Sequence, residues 1–394
     1  MWAEAAFPET LVEPAARRNA KLLARDYKAD GRFPVVDQGQ QAIAGWTDDE
    51  TLVISENLPY VVFGDHTRAL KFVDFPFVLG ADGTQLLKPS AEFNPLFFYF
   101  ACKNLDIPNR GYNRHFALLK DSMLPKPPKP EQEKIAALLW NVQKAVEVQD
   151  KLVRTTHELK AAAMRSLFTR GLRNEPLKET EIGPAPESWE IASVSNHFRA
   201  VAGGTPSRSN PAYWTGGTIP WVKTGEIDYV VINDTEEKIT AAALKDSAAK
   251  LIPAGAVLVA MYGQGVTRGK VAMLGIEATT NQACVALLPH TNEVRSDFLY
   301  AYLTFSYDRL RSLAHGGQQQ NLNAELIKSF PIPKASEDEQ REIARILQTL
   351  DRKIVTHEKK HATLQELFQT LLHKLMTARI RVHELDIDTS EVAG

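Results

Sequence analysis

Apolar side chains recur at alternating steps of four and three residues along two long stretches of this chain, which is the heptad pattern of a coiled-coil seam. In the second stretch the seam positions are Ile343, Leu347, Leu350, Ile354, His357, His361, Leu364, Phe368, Leu371 and Leu375. In the first stretch they are Ile135, Leu139, Val142, Val146, Gln149, Val153, Thr156, Lys160, Ala163 and Leu167. The pattern predicts two helices of about 40 residues, each roughly 60 Å long, that pair with each other.

The two helical stretches belong to one large internal repeat. Residues 131–173 align without a gap onto residues 339–381, with 12 identities in 43 positions. Upstream landmarks also match: residues 33–36 (Phe-Pro-Val-Val) with 219–222 (Ile-Pro-Trp-Val), Thr67-Arg68 with Thr267-Arg268, and Pro89 with Pro289. A period of about 200 residues is far longer than a solenoid repeat. The sequence therefore predicts a duplicated domain and a pseudo-two-fold internal repeat with two similar binding surfaces.

The remainder of each repeat contains short apolar runs broken by Gly, Asp and Pro, which is typical of mixed α/β units with short strands. Examples are residues 60–63 and 256–261. A proline-rich connector precedes each helix, at residues 124–130 and 330–333, because proline is tolerated at the start of a helix but not inside it. Ser336, with Glu339 three residues on, is predicted to cap the second helix.

These signals divide the chain into six segments of an α+β protein. They are a first α/β unit at residues 1–128, a first helix at 129–172, a linker at 173–186, a second α/β unit at 187–334, a second helix at 335–382 and an acidic tail at 383–394. We expect the tail to be frayed, as chain ends often are.

Composition narrows the class of protein. The net charge of −2 and the pI of about 6.6 exclude a polycation that holds nucleic acid by charge alone, so any DNA binding has to be local or shared with partners. The two cysteines, Cys102 and Cys284, have no spacing partner, which is typical of buried thiols in a reducing compartment. The apolar runs are too short to span a bilayer. We therefore expect a soluble cytoplasmic protein.

One sequence motif leaves an enzymatic alternative open. His357, Glu358 and His361 match H-E-x-x-H on a predicted helix, the pattern in which two histidines hold zinc and the glutamate acts as a base. Both histidines are also predicted seam positions, and no third ligand follows at a recognisable spacing. A zinc-dependent hydrolase is the alternative reading of this chain.

Two other motifs fail when their spacing is counted. Residues 263–270 are glycine-rich and basic, but neither Gly263 nor Gly265 stands five residues before Gly269, and Val271 replaces the hydroxyl residue of a phosphate loop. Residues 94–97 (Asn-Pro-Leu-Phe) lack the second proline of the amino-methyltransferase element Asn-Pro-Pro-aromatic. Neither motif predicts catalysis by this chain.

Polar, glycine-rich stretches in both halves suggest contact with DNA. They lie at residues 203–208, 263–270 and 316–321 in the second half, and at 64–68 and 110–115 in the first. Gln, Asn and Arg make paired hydrogen bonds to base edges, whereas Thr, Ser, Lys and backbone N–H groups hold phosphates.

Two variable α/β units that alternate with two repeated helices, each preceded by a Pro-x-Pro connector and opened by Glu-Gln-x-x-Ile, resemble the specificity subunit of type I restriction-modification systems. The resemblance covers nearly the whole chain. Its most specific parts are residues 330–333 with Glu339-Gln340-x-x-Ile343, and residues 186–190, 203–207 and 219–223 of the second unit. The first half departs from the pattern, because it has no Gly-Gly-Thr-Pro-Ser element.

The resemblance implies that each α/β unit is a target recognition domain that reads one half of a bipartite DNA site. The predicted DNA contacts in the second domain are Thr205, Ser207, Arg208, Lys223, Thr224, Gln264, Thr267, Arg268, Lys270, Gln318, Gln319, Gln320 and Asn321. In the first domain they are Gln38, Gln40, His66, Thr67, Arg68, Arg110, Tyr112, Asn113 and Arg114. The two helices form an antiparallel coiled coil that spaces the domains.

The resemblance also implies a chain without catalytic residues or a cofactor of its own, in a phage-defence complex. Two methyltransferase subunits and restriction subunits are the implied protein partners. They would bind S-adenosylmethionine and, for restriction, ATP and Mg²⁺. A third reading is a scaffold that makes no DNA contact.

Overall fold

The computed structural model describes residues 2–14, 21–80, 83–111, 113–263, 266–315, 321–390 and 392. The chain divides into two compact units: Met1–Lys151 with His357–Gly394, and Leu152–Thr356. Each unit therefore combines one α/β domain with parts of both long helices.

The first α/β domain is built from short strands with two helices. Its strands are β1 (Ala3–Ala6), β2 (Leu11–Val12), β3 (Phe33–Val36), β4 (Gly45–Thr47), β5 (Val53–Ile54), β6 (Tyr60–Gly64), β7 (Leu70–Val73), β8 (Phe77–Leu79), β9 (Thr84–Pro89) and β10 (Met123–Lys126), and its helices are α1 (Pro95–Lys103) and α2 (Phe116–Lys120). Short 3-10 turns lie at Phe7–Thr10, Ala24–Asp26 and Glu50–Leu52. The first long helix, α3, follows at Lys129–Arg170.

The second α/β domain repeats this plan with insertions. Its strands are β11 (Leu177–Thr180), β12 (Gly183–Pro186), β13 (Glu190–Ser193), β14 (Phe198–Ala202), β15 (Ile219–Val222), β16 (Val231–Ile232), β17 (Glu237–Ile239), β18 (Val257–Ala260), β19 (Val271–Leu274), β20 (Thr279–Thr280), β21 (Cys284–Pro289) and β22 (Pro331–Lys334). Its helices are α4 (Val194–His197), α5 (Ala241–Asp246), α6 (Ser296–Phe305), α7 (Tyr307–Ser312) and α8 (Ala324–Lys328), with 3-10 turns at Pro211–Tyr213, Thr224–Glu226 and Leu313–His315. The second long helix, α9, spans Glu337–Met376.

Seven strands of the first domain have counterparts in the same order in the second. The order β2-β9-β6-β7 in the first domain matches β14-β21-β18-β19 in the second, and β4-β3-β8 matches β17-β15-β20. Each proline connector is itself a strand: β10 pairs with β1, and β22 pairs with β13. The predicted mixed α/β domains and the internal repeat are confirmed, and the connectors prove to be part of the domains.

One predicted match between the repeats is wrong by one residue. The N–H of Arg68 donates to the carbonyl of Gly64, and the N–H of Gly269 donates to that of Ala260 at the corresponding strand end. Arg68 and Gly269 also share a left-handed backbone, with φ of 61° and 88°. The counterpart of Arg68 is therefore Gly269 and not Arg268, because the recurring Thr-Arg pair lies in loops of unequal length.

The two long helices pack against each other in opposite directions. In the first unit, Ile135 and Leu139 near the start of α3 share a core with Phe368 and Leu375 near the end of α9. In the second unit, residues 164–168 near the end of α3 share a core with residues 343–350 near the start of α9. The predicted antiparallel pair is confirmed. One seam position differs from the prediction, because Leu372, at 3% exposure, is more buried than the predicted seam residue Leu371.

Gln149 on α3 and His357 on α9 are equivalent positions of the repeat, and they meet in the middle of the helix pair. Nδ1 of His357 lies 3.0 Å from Oε1 of Gln149, and the two residues are 208 positions apart. The repeat has the same offset, since Glu131 aligns with Glu339. Antiparallel copies of one helix bring equivalent positions together only at their centre. Gln149 and His357, two polar residues of the seam, thus form a hydrogen bond with each other at the centre of the helix pair.

The glutamine of the repeated Glu-Gln-x-x-Ile motif makes the same hydrogen bonds in both units. In the first unit, Oε1 of Gln132 accepts from the N–H of Asn94 at 2.7 Å, and its Nε2 donates to the carbonyls of Glu92 and Pro127. In the second, Gln340 makes the same three bonds, accepting from the N–H of Arg295 and donating to the carbonyls of Glu293 and Ala335. Each buried glutamine therefore ties the start of a long helix to its α/β domain.

The repeated glutamate is the other half of the motif. Glu339 accepts from Nε1 of the buried Trp189 at 3.2 Å and from the N–H of Leu172 at 2.8 Å, with Nε of Arg173 3.9 Å away. It does not close the predicted capping box with Ser336, whose hydroxyl accepts from Arg173 at 2.7 Å. The carboxylate of Glu339 thus connects the start of α9 to the residues that follow α3 and to Trp189.

Glu131 has the same role in the first unit. It accepts from Nε1 of Trp2 at 3.2 Å and from the guanidinium of Arg381 at 2.7 and 2.8 Å. The bonds from Arg381 hold the pKa of Glu131 below its usual range, although burial acts in the opposite direction. The buried carboxylate is therefore charged at neutral pH and paired with the segment that follows α9.

The predicted linker and the predicted frayed tail both make contacts with the α/β domains. The predicted linker forms the hairpin β11–β12, and Arg309 donates to the carbonyls of Glu181 and Ile182 next to its turn. The predicted frayed tail returns to the first unit, where Val392 is 8% exposed and its carbonyl accepts from Nδ2 of Asn94 at 2.6 Å. The prediction of a frayed tail failed because this contact joins residues 298 positions apart in sequence.

Candidate nucleic-acid interface

The Gly203-Gly204 pair directly follows strand β14, and the surrounding atoms leave no room for a side chain at either position. A Cβ on Gly203 would meet the carbonyl oxygen of Asn281 at 2.2 Å, and one on Gly204 would meet the backbone of Ala248 at 2.4 Å. The carbonyl of Gly204 accepts from Nε1 of the buried Trp221 at 3.0 Å. This close packing fixes the start of the loop that carries Thr205, Ser207 and Arg208.

The predicted contacts of this loop meet polar side chains from other strands. The hydroxyl of Thr205 donates to Oε1 of Gln282, which lies just before strand β21. Ser207 and Ser209 share a hydrogen bond of 2.9 Å. The guanidinium of Arg208 lies over the ring of Trp214, with Cζ 3.9 Å from the ring centre, and bonds to Glu237.

Lys223 and Thr224 follow directly on strand β15 at the same face. The ammonium of Lys223 pairs with Glu236 and lies 3.4 Å from Glu237. Thr224 donates to Oδ1 of Asn281 at 3.0 Å. The bond to Glu236 raises the pKa of Lys223, and the bond from Arg208 lowers the pKa of Glu237. The structure therefore brings the predicted residues of both segments together, in a mixed set of donors and acceptors.

The basic loop between β18 and β19 is partly neutralised. Lys270 pairs with Asp228 and lies 5.7 Å from the ring centre of Tyr229, which leaves 17% of its side chain exposed. Tyr307 donates to the carbonyl of Val266 at 2.7 Å. Thr267 and Arg268 are half-buried. Lys270 is thus oriented by its own domain.

The first domain gathers its predicted residues at the equivalent strand ends. Gln38 follows strand β3, its side-chain oxygen lies 3.4 Å from the N–H of His66, and its carbonyl accepts from the hydroxyl of Thr67. Arg68 donates to the carbonyl of Ile107 at 2.8 Å, which links this group to the loop that carries Arg110. The structure therefore forms one polar surface from residues 38–40, 66–68, 107–111 and 113–114.

Residues 109–111 and 113–115 are held against this surface by a buried histidine. Nδ1 of His115 lies 2.9 Å from the carbonyl of Asp65, and its Nε2 accepts from the N–H of Arg110 at 3.1 Å. Asn113 donates to the carbonyl of Arg110, and the side chains of Gln40 and Arg114 are exposed.

Some of the predicted DNA-contact residues lie outside the residues that the structure describes, and the candidate interface also contains residues that the sequence did not indicate. Tyr112, Gln264, Gln318, Gln319 and Gln320 lie outside the described residues, whereas Asn321 is described and exposed. Sequence reasoning missed Trp214, Glu236, Glu237, Asn281 and Gln282. The polar pair Asn281-Gln282, between strands β20 and β21, was the one available signal.

The zinc alternative finds no support in the helix pair. His357 is bonded to Gln149, and among the residues that the structure describes no group of three His, Cys, Asp or Glu side chains could hold a metal ion. Within those same residues, none of the helices is both long and apolar enough to cross a membrane.

Comparisons with known proteins point to one family. Residues 186–366 match the model of the "Type I restriction modification DNA specificity domain". The Escherichia coli type I restriction enzyme EcoR124I/EcoR124II specificity subunit is 26% identical over 339 residues, which cover 83% of this chain and 81% of that protein. The Methanocaldococcus jannaschii MjaIX specificity subunit is 28% identical over 194 residues, which are 48% of this chain and 44% of that protein.

The fold also has a solved relative. The crystal structure of the type I restriction-modification system S subunit from M. genitalium superposes with a TM-score of 0.67 at 17% identity, over 95% of this chain and 96% of that one. The fold thus consists of two repeated α/β domains on paired helices, and the second lies in the part of the chain that matches the DNA specificity domain. The chain is similar over most of its length to a type I restriction enzyme specificity subunit, which confirms the resemblance predicted from its sequence.

Proposed function

We propose that each α/β domain reads one half of a bipartite DNA site and that the helix pair fixes the separation of the two halves. The observation that carries the proposal is one fold present twice with different polar side chains at the same place. Strand β15 is followed by Lys223-Thr224, whereas its counterpart β3 is followed by Asp37-Gln38. Two equal scaffolds with unlike side chains fit two unlike half-sites, since side-chain chemistry selects bases.

We propose further that this chain is the non-catalytic part of its complex and acts in the cytoplasm. Two methyltransferase subunits and restriction subunits would supply the chemistry, with S-adenosylmethionine, ATP and Mg²⁺ bound on them. A net charge of −2 fits this division, because subunits that close around the duplex can neutralise much of its phosphate charge.

The repeat also carries two exposed leucines at equivalent positions. Leu159 on α3 is 55% exposed, and Leu367 on α9 is 43% exposed. They are 208 positions apart, so they occupy the same place in the two copies, one in each unit. A single exposed leucine would be ordinary, but its recurrence at the equivalent position of the second copy fits two copies of one partner. We assign them to the two methyltransferase subunits.

Exchanging residues 1–128 for the first domain of a relative with another specificity is expected to change one half of the methylated motif. The other half should stay the same, because its domain is untouched, and the number of base pairs between the halves should stay the same, because both helices are retained. Sequencing of methylated bases in the host genome measures all three. A wild-type motif without two separated halves, or an exchange that alters both halves, would refute the proposal.

Replacing Leu159 or Leu367 with aspartate is expected to weaken assembly with the methyltransferase by about 2 kcal/mol, because a buried leucine is lost and a carboxylate is desolvated. Size-exclusion chromatography with mass determination should show one bound methyltransferase for either single variant and none for the double variant. Val148→Asp, at a position exposed to 55% whose counterpart is Thr356, is the control. Unchanged two-to-one assembly in the double variant would place the docking surface elsewhere.

A further inference from the structure

A group of four charged side chains in the second domain differs from an ordinary phosphate-binding patch. Arg208 pairs with Glu237, and Lys223 pairs with Glu236 and Glu237. Glu226 adds a third carboxylate, which accepts from the N–H groups of Lys223 at 2.7 Å and of Glu236 at 3.0 Å. Two cations beside three carboxylates leave no positive charge to attract a phosphate.

The guanidinium of Arg208 is held in a corner between two tryptophans. Its Cζ lies 3.9 Å from the ring centre of Trp214 and 4.7 Å from that of Trp221, and the two rings meet at 85°. The indole nitrogens are fixed by the carbonyls of Ser207 and Gly204. Arginine is suited to such a place because its guanidinium is flat, stacks on aromatic rings and keeps its charge.

The two tryptophan rings orient Arg208 but leave much of its side chain exposed to solvent. Two of the five N–H groups of a guanidinium are engaged by Glu237, yet 51% of the side chain is exposed. Glu236 is 70% exposed, while Glu237 is 30% exposed. Arg208 is thus an oriented donor anchored by Glu237, and Glu236 is an exposed acceptor held by Lys223.

The cluster also occupies positions at which the two domains differ. Glu237 lies opposite Trp221 in the strand pair β17–β15, and the equivalent pair β4–β3 places Gly45 opposite Val35. Lys223, the first residue after β15, corresponds to Asp37 after β3. A cluster that only held the shared fold together would be expected in both copies.

We propose that this cluster reads one G·C base pair in the major groove of the half-site bound by the second domain. Arg208 donates to O6 and N7 of guanine, and Glu236 accepts from the N4 amino group of the paired cytosine. These are the contacts that arginine and glutamate make with those bases. The proposal rests on the proposed function, because it names the base pair that the second domain selects.

Arg208→Lys is the informative substitution, because lysine keeps the charge but loses the flat fork that binds guanine in two places. In the assembled methyltransferase complex, we expect discrimination at one G·C position of the second half-site to fall by roughly 10-fold to 100-fold. The first half-site, the spacing and the salt dependence of DNA binding should not change. Glu236→Gln should relax the same position, because an amide can also donate.

Arg345→Ala is the matched control, because Arg345 forms an exposed ion pair with Glu342 on helix α9. It should leave the motif intact. The readouts are methylated-base sequencing of the host genome, DNA affinity at several salt concentrations, and thermal unfolding to show that each variant is folded. If Arg208→Lys does not fold, Glu236→Gln, at a mostly exposed side chain, tests the same base pair.

Three outcomes would overturn the inference. The motif could be unchanged in both variants, or the wild-type second half-site could contain no G·C pair. Arg208→Ala could also weaken binding to all sequences equally and lower the salt slope by about one while Arg208→Lys behaves as wild type, which would indicate a phosphate contact. A wild-type complex without a bipartite motif would instead refute the proposed function.

Discussion

A chain in which Glu339 is replaced by alanine is expected to lose about 3 kcal/mol of the unfolding free energy of its second unit. The side chain of Glu339 is 2% exposed, and it accepts from Nε1 of Trp189, a residue that is itself fully buried. Alanine leaves the indole N–H without its acceptor inside the core, together with the N–H of Leu172. A buried donor left without a partner costs about 1–3 kcal/mol.

Glu131→Ala is the matched variant for the first unit, since Glu131 makes the corresponding bonds to Trp2 and Arg381. Urea unfolding of the full chain, followed by hydrogen exchange on separate peptides, distinguishes the two units. We expect exchange to increase around Trp189 in one variant and around Trp2 in the other. A loss below 0.5 kcal/mol, or equal opening of both units in either variant, would show that these carboxylates do not hold the helix starts.

The long helices could be predicted from the sequence because their pattern is local. A heptad seam is visible in any window of a few turns, and the repeat shows it twice. The same argument predicted correctly that Gln149 and His357 are seam residues. It could not show that they bond to each other, because that contact depends on the direction in which the helices pair.

The Glu-Gln motif shows where local reasoning ends. Its recurrence identified it as important, but the rule for helix caps predicted a bond between Ser336 and Glu339, three residues apart. The structure uses Glu339 to hold Trp189, 150 residues away, and Gln340 to hold Arg295, 45 residues away. A buried carboxylate gains more from satisfying a core donor than from capping an exposed turn. No spacing rule contains these partners.

The candidate interface was predictable in composition but not in geometry. A glycine-rich polar loop indicated Thr205 and Arg208, and the family motif at residues 219–223 indicated Lys223. The carboxylates that neutralise them lie on other segments, Glu237 being 29 residues beyond Arg208. Counting basic residues therefore overestimates the positive charge of this surface, and the distinction between a base contact and a phosphate contact appears only when the pairs are known.

Inserting one heptad into each long helix, after Gln149 and after His357, is expected to lengthen the methylated motif by about 3 base pairs. Seven residues add about 10 Å at 1.5 Å each, and base pairs rise 3.4 Å. A whole heptad keeps the seam facing the partner helix, and a pair of insertions at the repeat midpoint leaves the contacts of each unit with its own helix ends in register. The two half-sequences should therefore stay the same while unspecified positions are gained between them.

A two-residue insertion at the same positions is the control, because it rotates the seam by about 200° and should give unassembled or insoluble protein. Methylated-base sequencing gives the spacing, and chromatography with the methyltransferase reports assembly. An extended chain that assembles and still methylates the original spacing would mean that the helix pair does not set the distance between half-sites. The two domains would then have to be positioned on DNA by the partner subunits, and the similar length of the two repeated helices would need another cause, such as the docking of those partners at Leu159 and Leu367.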